Sequence, residues 1–456
     1  MKLSTFTPWS LASLGLAVLG AGMAVASDGI GLIEVETSSS QHRNQPKPPA
    51  SDDVVPVKVE KRPDGTFALL RGGSPYFIKG AGGSEFTDEL RQAGGNSFRT
   101  WGADELERLL LRASSRKMTV AAGIWLGHTR HGFRYDDEAA VRRQFESTRA
   151  VIRRHKDHPA VLIWGLGNEM EGDGNDPKVW RAINDLAKMA HLEDPNHPTM
   201  TVIAELGKDN VKLAMFREYC PDVDILGVNS YGGAGSVGER LTKAKFDKPF
   251  ILTEFGPRGF WEGPKTAWGA PIEPNSTEKA DTYKDSYAKG VVGNPGRCLG
   301  SYAFFWGQKQ EVTSTWFSLF PSAQKTESVD ALTEAWKGER PESRCPRIKI
   351  ARFDDADKPL LPGSEHKLTF EVDDPDHDQL GIHLEIRMES DSHHEGGDRE
   401  AVPRLVSEKR DIRFEDHSFI IRVPQTPGAY RVYCEASTSR NNEAATANFP
   451  FLVIKP

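Results

Sequence analysis

The stretch VLIWGLGNE, residues 161–169, carries the strongest indication of the fold. Four apolar residues run directly into Gly-Leu-Gly and then into an amide, Asn168, and a carboxyl group, Glu169. A short apolar run of this kind is typical of a strand that is buried on both faces of a parallel sheet. The pattern therefore predicts a buried strand whose carboxyl end presents two polar side chains.

Similar apolar runs recur between Tyr76 and about Gly338, and amphipathic segments separate them. This alternation predicts a parallel sheet with crossover helices. The amphipathic segments include residues 103–117, 136–159 and 176–195. The eight predicted strands span residues 76–83, 96–102, 119–127, 161–169, 199–207, 224–233, 249–256 and 301–308.

Eight strand and helix units in about 260 residues match the usual length of a (β/α)₈ TIM barrel. A doubly wound α/β sheet is the competing arrangement, but no glycine-rich phosphate-binding turn follows the first predicted strand. We therefore predict an α/β fold in which residues 54–340 form a TIM barrel. The stretch VVPVKVEKRPDGTFALLRGG (54–73) predicts a hairpin before the first barrel strand.

After Gly338 apolar and polar residues alternate with period two between turns that are rich in Pro, Gly and Asp. This pattern predicts a C-terminal immunoglobulin-like β-sandwich over residues 345–456, similar to accessory domains of the PKD or fibronectin III type. The charged run DSHHEGGDRE (391–400) is expected to be an exposed loop. The acidic residues Asp373, Asp374, Asp376 and Asp378 form either an acidic turn or a set of calcium ligands.

The first 26 residues predict a secretory signal peptide, because Lys2 precedes an apolar stretch and small residues occupy the expected cleavage site at 24–26. The alternative is an uncleaved membrane anchor, although the apolar stretch is short for a span. Residues 27–53 are rich in Ser, Gln and Pro and predict a disordered tether. We expect a secreted, periplasmic or surface-attached protein without stable membrane insertion after signal cleavage.

The formal net charge of −7, without a long basic cluster, argues against nucleic acid as a partner. The four cysteines lack the close paired spacing of a zinc site, and no metal is predicted. In an exported chain Cys345 and Cys434 are a candidate disulfide, and the alternative is that the cysteines are free buried thiols. The remaining two cysteines are Cys220 and Cys298.

In a TIM barrel the catalytic groups lie at the carboxyl ends of the strands. The polar or aromatic residues predicted at that rim are Arg99, His128, Asn168, Glu169, Tyr231, Glu254 and Trp306. Hydrolysis of a glycosidic bond requires two carboxyl groups, one that protonates the leaving oxygen and one that attacks the anomeric carbon or activates water.

HPAVLIWGLGNE (158–169) and KPFILTEFG (248–256) resemble the two active-site motifs of clan A retaining glycoside hydrolases, most closely the TIM barrel domain of family 2. The resemblance extends over about residues 54–340. It implies that Glu169 is the acid/base residue and that Glu254 is the nucleophile. It further implies that Arg99 and Tyr231 contact the nucleophile and that Trp306 lies beneath the sugar at the −1 position.

Elementary electrostatics favours the same division of roles. Arg99 and Tyr231 near Glu254 would keep that carboxylate ionised, whereas Glu169 would lose solvent and face a second negative charge, which raises its pKa. Asn168 can hydrogen-bond a sugar 2-hydroxyl, a contact that strengthens in the transition state. This chemistry requires no cofactor.

Family 2 members carry β-sandwich domains before the barrel, and here a tether and a hairpin precede it, so we expect loops after strands 3, 7 and 8 to shape the cleft. The segment RGFWEGPKTAWGAP (258–271), with Trp261, is the best candidate for a substrate-lining loop, and His128 either binds substrate or hydrogen-bonds a loop. Glu171 and Asp173 are expected to be loop charges. The aromatic residues available for stacking are Trp125, Phe133, Tyr135, Phe260, Trp261, Trp268, Trp316 and Phe317.

The predicted function is that of an exported retaining β-glycoside hydrolase acting on an oligosaccharide or polysaccharide. One alternative is a transglycosylase acting on β-glucan, in which a sugar replaces water as acceptor. The other is a surface glycan-binding protein that retains the barrel as a scaffold without catalysis. The sequence does not determine an oligomeric state.

Overall fold

The computed structural model describes residues 54–391, 398–438 and 440–455. The predicted signal peptide and tether lie outside these residues. All described residues belong to one compact unit. No helix within them is long and apolar enough to span a membrane.

The predicted hairpin precedes the barrel. Strands β1 (Val57–Lys61) and β2 (Phe67–Arg71) pair antiparallel across the Pro-Asp-Gly turn, and a short strand β3 (Ser74–Pro75) adds to β2. Apolar side chains of this hairpin, including Val57 and Leu69, share a buried cluster with residues of the barrel strands. The hairpin is therefore part of the barrel fold.

Eight parallel strands close into a barrel, which confirms the TIM barrel prediction. Neighbouring strands in the closed sheet follow chain order, and the last strand pairs with the first. The barrel strands are β4 (Ile78–Gly82), β5 (Ser97–Arg99), β6 (Thr119–Ile124), β7 (Val161–Asn168), β8 (Thr199–Ala204), β9 (Ile225–Asn229), β10 (Phe250–Phe255) and β11 (Cys298–Ala303).

Helices lie between the barrel strands, and several begin at side-chain caps. The Asp137 side chain accepts a hydrogen bond from the Ala140 N–H, and Asn275 forms a reciprocal capping box with Glu278. The last helix is followed by Gly338, whose φ of 81° is a left-handed backbone conformation that favours glycine. The helices are α1 (Thr87–Gln92), α2 (Leu106–Ser115), α3 (Glu138–His155), α4 (Pro177–Glu193), α5 (Val211–Tyr219), α6 (Val237–Lys243), α7 (Ser276–Ser286) and α8 (Glu327–Lys337).

The eighth strand differs from its prediction. The sequence pattern placed it at residues 301–308, but β11 ends at Ala303. The aromatic residues that follow leave the sheet, since the Phe305 N–H bonds to the Phe317 carbonyl and the Trp306 N–H bonds to the Gly82 carbonyl, both at 2.9 Å. An apolar run alone does not distinguish a strand from an adjacent buried loop.

Beyond the barrel lies the C-terminal module, which is formed by residues 345–391, 398–438 and 440–455. It consists of two four-stranded sheets, ordered β12-β14-β17-β16 and β13-β19-β18-β15. Residues of both sheets, such as Leu368 and Val432, share one buried cluster. Its strands are β12 (Arg347–Phe353), β13 (Pro359–Leu360), β14 (Glu365–Asp373), β15 (Leu380–Met388), β16 (Ile412–Glu415), β17 (Ser418–Arg422), β18 (Gly428–Thr438) and β19 (Glu443–Val453).

A buried polar network joins the C-terminal module to the barrel. Arg431, 1% exposed, pairs with Glu389 and donates a hydrogen bond to the Pro271 carbonyl over 2.8 Å. Asn448 donates to Glu273 over 2.6 Å, and Glu273 forms a buried ion pair with Lys279. The module is therefore bonded to the segment that leads from β10 into α7.

The candidate disulfide is wrong, because Cys345 and Cys434 are both free and buried, as are Cys220 and Cys298. The alternative of free buried thiols describes all four.

The acidic residues of the module take part in local contacts. Asp376 pairs with Arg344 at 2.8 Å, and Asp373 pairs with Lys349 at 3.1 Å. Asp374 accepts a hydrogen bond from the backbone N–H of Asp378. These contacts are those of an acidic turn with neighbouring cations.

Candidate active site

Glu254 lies near the carboxyl end of β10 and is held by three donors. Its Oε1 accepts hydrogen bonds from Arg99 Nη1 at 2.9 Å and from Trp101 Nε1 at 2.8 Å. Its Oε2 accepts from the Tyr231 hydroxyl at 2.8 Å. The side chain is nearly buried, so a cation and two neutral donors replace its lost water shell and fix its orientation.

Arg99 connects three strands of the rim. It ends β5, is 3% exposed, and donates from Nη1 to the Thr253 carbonyl as well as to Glu254. Its Nη2 donates to Asn168 Oδ1 over 2.6 Å. One guanidinium group therefore sets the relative positions of the groups on β7 and β10.

Glu169 directly follows β7 and has a φ of 54°, a backbone conformation that costs a non-glycine residue of order 1–3 kcal/mol. Burial, reinforced by the negative charge of Glu254, raises the pKa of Glu169 to about 7. A hydrogen bond from Asn229 Nδ2 to Glu169 Oε1, 2.7 Å long, acts in the opposite direction. The two glutamates thus differ in their partners, because Glu254 is paired with the Arg99 cation whereas Glu169 accepts from the neutral amide of Asn229.

Asn168 is oriented by two donors to the same atom. Its Oδ1 accepts from Arg99 and, at 3.1 Å, from Asn229 Nδ2. Asn229 in turn accepts from the Thr253 hydroxyl over 2.8 Å. Because both donors bind Oδ1, the NH₂ group of Asn168 is the end of the amide that remains to donate to a ligand.

Two residues that contact the glutamates were missed by the sequence analysis. Trp101 stands two residues after Arg99 in SFRTWG, and Asn229 is the last residue of β9 in GVNSYGG. In both cases the available signal was a polar group or an indole at a strand end. The direction in which such a side chain points depends on how neighbouring strands align.

Tyr231 is buried within an aromatic cluster. Burial, together with the charge of Glu254, raises the pKa of Tyr231 well above its usual value, so the phenol stays protonated and donates. The rings of Trp261 and Phe317 lie 5.5 and 5.2 Å from the Tyr231 ring. The cluster consists of Tyr231, Phe260, Phe304, Val312, Trp316 and Phe317.

Trp306 is not brought to this cluster, contrary to prediction. Its side chain is fully buried, its indole nitrogen donates to the Phe86 carbonyl over 2.9 Å, and its ring packs against Phe320 and Trp336. A buried indole in the barrel core cannot support a sugar. Phe304, the first residue after β11, lies in the cluster instead, 5.9 Å from Tyr231.

Half of the eight aromatic residues predicted to stack on sugars are buried packing residues. Tyr135, Phe260, Trp316 and Phe317 are buried, whereas Trp261 is 50% exposed and Trp125 is 47% exposed. The loop that carries Trp261 is held by Glu262, which accepts from the Gly232 and Gly259 N–H groups at 2.9 Å.

His128 lies next to Trp125 and is buried. Burial, aided by the charge of Arg130, lowers the pKa of His128 to about 4. Its ring stacks on Trp125 with centroids 4.7 Å apart. The imidazole is therefore neutral. It is covered from solvent and contacts the Trp125 ring.

Glu171 also differs from its prediction as a loop charge. It is 5% exposed, and it pairs with Lys212 at 2.7 Å. Asp173, in contrast, is exposed and accepts a hydrogen bond from the Asn175 N–H.

Residues 118–264 match the family model described as glycosyl hydrolases family 2, TIM barrel domain. The matched segment includes both Glu169 and Glu254. The resemblance to the catalytic domain of family 2 glycoside hydrolases, predicted from the two motifs, is confirmed over this segment.

Two curated relatives are named β-glucuronidase. The one from Paenibacillus borealis is 29% identical over 239 residues, which covers 44% of this chain and 37% of that protein. The one from Bacteroides fragilis is 35% identical over 60 residues, 13% of this chain and 8% of that protein. The chain thus spans well under half the length of the curated relatives it matches.

Solved structures with a similar fold include a Bifidobacterium dentium β-glucuronidase complexed with coumarin-3-O-glucuronide. Its TM-score is 0.49 at 20% identity, over 62% of this chain and 49% of that chain. A putative β-galactosidase from Bacteroides fragilis has a TM-score of 0.48 at 14% identity, over 88% of this chain and 58% of that chain.

Proposed function

We propose that this protein is an exported retaining β-glycoside hydrolase that cleaves an oligosaccharide or polysaccharide by double displacement. The observation that carries the proposal is the contrast between two carboxyl groups on one rim. Glu254 accepts from Arg99, Trp101 and Tyr231, whereas burial raises the pKa of Glu169 to about 7. A nucleophile must be ionised and a general acid must carry a proton.

In the first displacement the Glu254 carboxylate attacks the anomeric carbon, and the bond from that carbon to the glycosidic oxygen breaks. Glu169 donates its proton to the departing oxygen, so the leaving sugar departs as an alcohol. The negative charge leaves Glu254 as the ester forms and appears on Glu169. The NH₂ group of Asn168 would hydrogen-bond the sugar 2-hydroxyl during this step.

In the second displacement the Glu169 carboxylate removes a proton from water while the water oxygen attacks the anomeric carbon. The ester bond to Glu254 breaks, and its carboxylate is restored beside Arg99 and Tyr231. Two successive inversions give overall retention of configuration. If a sugar hydroxyl replaces water, the same groups perform transglycosylation.

We extend the proposal to the parts of the chain around the barrel. The C-terminal module, with two sheets over one core, has the organisation expected of an immunoglobulin-like β-sandwich. The sequence of residues 1–26 supports export through a signal peptide. The named relatives make β-glucuronides and β-galactosides necessary members of any substrate panel.

The proposal is tested by measuring product release from β-glucans, mannans, xylans and galactans, and from aryl β-glycosides that include the glucuronide. Wild type is compared with Glu254→Ala, Glu169→Ala and the matched control Glu239→Ala, an exposed glutamate on α6. Added azide then assigns the roles. With Glu254→Ala, azide should give a glycosyl azide of inverted configuration, and with Glu169→Ala one of retained configuration.

The glycan-binding alternative gives a different result. Absence of turnover on every substrate, with a glycan still bound by wild type and by Glu254→Ala, would establish that alternative and reject the hydrolase.

A further inference from the structure

Trp125 presents half of an indole to solvent, at the end of the strand next to the one that leads to the proposed acid/base residue. It follows β6 directly, and Ile124, the last residue of β6, pairs in register with Leu166 of β7. Glu169 stands three residues beyond Leu166, just past the end of the same strand. Trp125 and Glu169 therefore leave the same rim from adjacent strands, with Glu169 two residues further along in register.

The indole of Trp125 is supported from behind. The ring of His128 stacks against it at a centroid distance of 4.7 Å and an interplanar angle of 24°. The pKa of His128 is lowered to about 4, chiefly by burial, so the supporting ring is neutral at ordinary pH. An exposed tryptophan held in one orientation is a surface on which the apolar face of a sugar can stack.

Polar groups of both signs lie near His128, the residue that supports this indole, and one of them comes from the C-terminal module. Asp398 Oδ1 lies 3.4 Å from His131 Nε2 and 3.8 Å from Arg130 Nη2. Two residues further on, Glu400 accepts a hydrogen bond from the Val312 N–H over 2.7 Å. Residues 398–400 are thus tied to the loop after β6 and to the loop after β11.

This attachment corrects the expectation that the whole run 391–400 is an exposed loop, because Glu400 is only 8% exposed. It also places part of the C-terminal module on the rim that carries the two glutamates. The loops after β4 and β5 are short, residues 83–86 and 100–105, so the barrel itself builds little wall between the loops that residues 398–400 connect.

We propose that Trp125, together with Arg130, His131 and Asp398, forms a subsite for the sugar on the leaving-group side of the scissile bond. This inference rests on the proposed function, in which Glu169 protonates the glycosidic oxygen. The group attached to that oxygen must lie on the Glu169 side, and Trp125 is on the neighbouring strand. A pyranose offers an apolar face to the indole and hydroxyls to Arg130 and Asp398.

The subsite specifies a substrate class. An indole together with groups that can bind hydroxyls suits a sugar as the leaving group, so we expect the natural substrate to be an oligosaccharide or polysaccharide. After the leaving sugar departs, the same subsite holds an acceptor sugar in competition with water.

The experiment compares two substrates with the same sugar at the donor position, the β-glycosyl fluoride, which has no leaving sugar, and the β-linked disaccharide. The sugar is the one that wild type hydrolyses in the panel above. The variants are Trp125→Ala, Trp125→Phe and Asp398→Asn. The matched control is Phe77→Ala, an aromatic residue 41% exposed that precedes β4, at the amino end of the barrel strands.

We expect Trp125→Ala to lower the ratio of kcat/KM for the disaccharide to kcat/KM for the fluoride at least about tenfold. Asp398→Asn should lower the same ratio about threefold. Trp125→Phe should keep most of the wild-type ratio, because a phenyl ring also stacks on a sugar. With the fluoride as donor and added sugar as acceptor, Trp125→Ala should form less transglycosylation product. Phe77→Ala should match wild type in every measurement.

Each outcome decides a different point. If wild type hydrolyses both substrates and the ratio is unchanged in Trp125→Ala, the subsite is wrong and the hydrolase stands. If wild type hydrolyses no substrate of that panel, the proposed function is overturned and the subsite with it. If Trp125→Ala fails to fold, an unchanged ratio in Asp398→Asn rejects the subsite.

Discussion

Asn229 Nδ2 donates a hydrogen bond to Oε1 of Glu169 over 2.7 Å, and this bond lowers the pKa of a carboxyl group that burial raises. The amide can donate to either form of the carboxyl but binds the ionised form more strongly. Asn229 therefore limits the rise in the pKa of Glu169. The balance of the two effects places the pKa at about 7, where a general acid gives up its proton in one displacement and recovers one in the next.

Asn229→Ala should raise the pKa of Glu169 above its value in the wild-type protein. The alkaline limb of the kcat/KM profile should then move to higher pH. The measurement is a pH profile with one substrate, and the control is Asn184→Ala, another buried amide, which bonds to Asp222. A limb that stays in place in Asn229→Ala would show that the hydrogen bond does not set the titration.

In wild type, the protonated form of Glu169 is the active acid and predominates below its pKa. We therefore expect kcat/KM to fall as the pH rises through about 7. Glu169→Gln cannot lose this proton, so its profile should lack the limb, and turnover of an oligosaccharide should fall roughly 10²- to 10⁴-fold. A limb near pH 7 that persists in Glu169→Gln would assign the titration to another group.

Tyr231→Phe removes one of the three donors to Glu254 and leaves the ring in its cluster. A hydrogen bond to a charged group contributes roughly 1.5–3 kcal/mol, so we expect kcat to fall about 10- to 100-fold. The control is Tyr302→Phe, a fully buried tyrosine whose hydroxyl lies 3.0 Å from the neutral Ser97 hydroxyl. Equal losses of kcat in the two variants would contradict a specific role for Tyr231.

Arg431→Met should destabilise the protein strongly, because it leaves the Glu389 carboxylate buried without its cation. Removal of one partner of a buried pair costs roughly 3–5 kcal/mol in the free energy of unfolding. Urea unfolding measures the loss, and Arg413→Met provides the control, since its pairs with Glu365 and Glu415 are partly exposed and contribute little to stability. Similar losses in both variants would show that burial at this interface is not important.

Thiol titration should detect no reactive cysteine in the native protein and four after denaturation, since all four are free and buried. Burial raises the pKa of Cys220 and of Cys298 to about 12, which further suppresses their reactivity. Dithiothreitol should leave Tm unchanged. Fewer than four thiols in the denatured, unreduced protein would reveal a disulfide.

The barrel could be predicted because its signal is local and repeated. A strand such as β7 is buried on both sides, so its apolar run appears directly in the sequence, and Asn168 and Glu169 mark its end. The pairing of Arg99 with Glu254 was implied by the resemblance to family 2, and it agrees with the convergence of residues at the carboxyl ends of barrel strands.

The features of the site that could not be predicted depend on contacts between segments that are distant in sequence. The resemblance to family 2 implied that Trp306 lies beneath the sugar, but the chain leaves the sheet at Ala303 and the indole turns towards the Phe86 carbonyl. The contact of Trp101 with Glu254 and the attachment of Glu400 to Val312 link segments far apart in sequence. No periodicity encodes such contacts.

The polar network between Glu273, Lys279, Arg431 and Asn448 affects how the barrel and the C-terminal module can evolve. Each of these groups is buried and satisfied by a partner, and the network combines residues from two parts of the chain. A gene rearrangement that fused this barrel to a foreign C-terminal partner would leave charges desolvated at the junction. We therefore expect the barrel and the C-terminal module to be transmitted together and to diverge as one lineage, unlike accessory domains that are exchanged freely between enzymes.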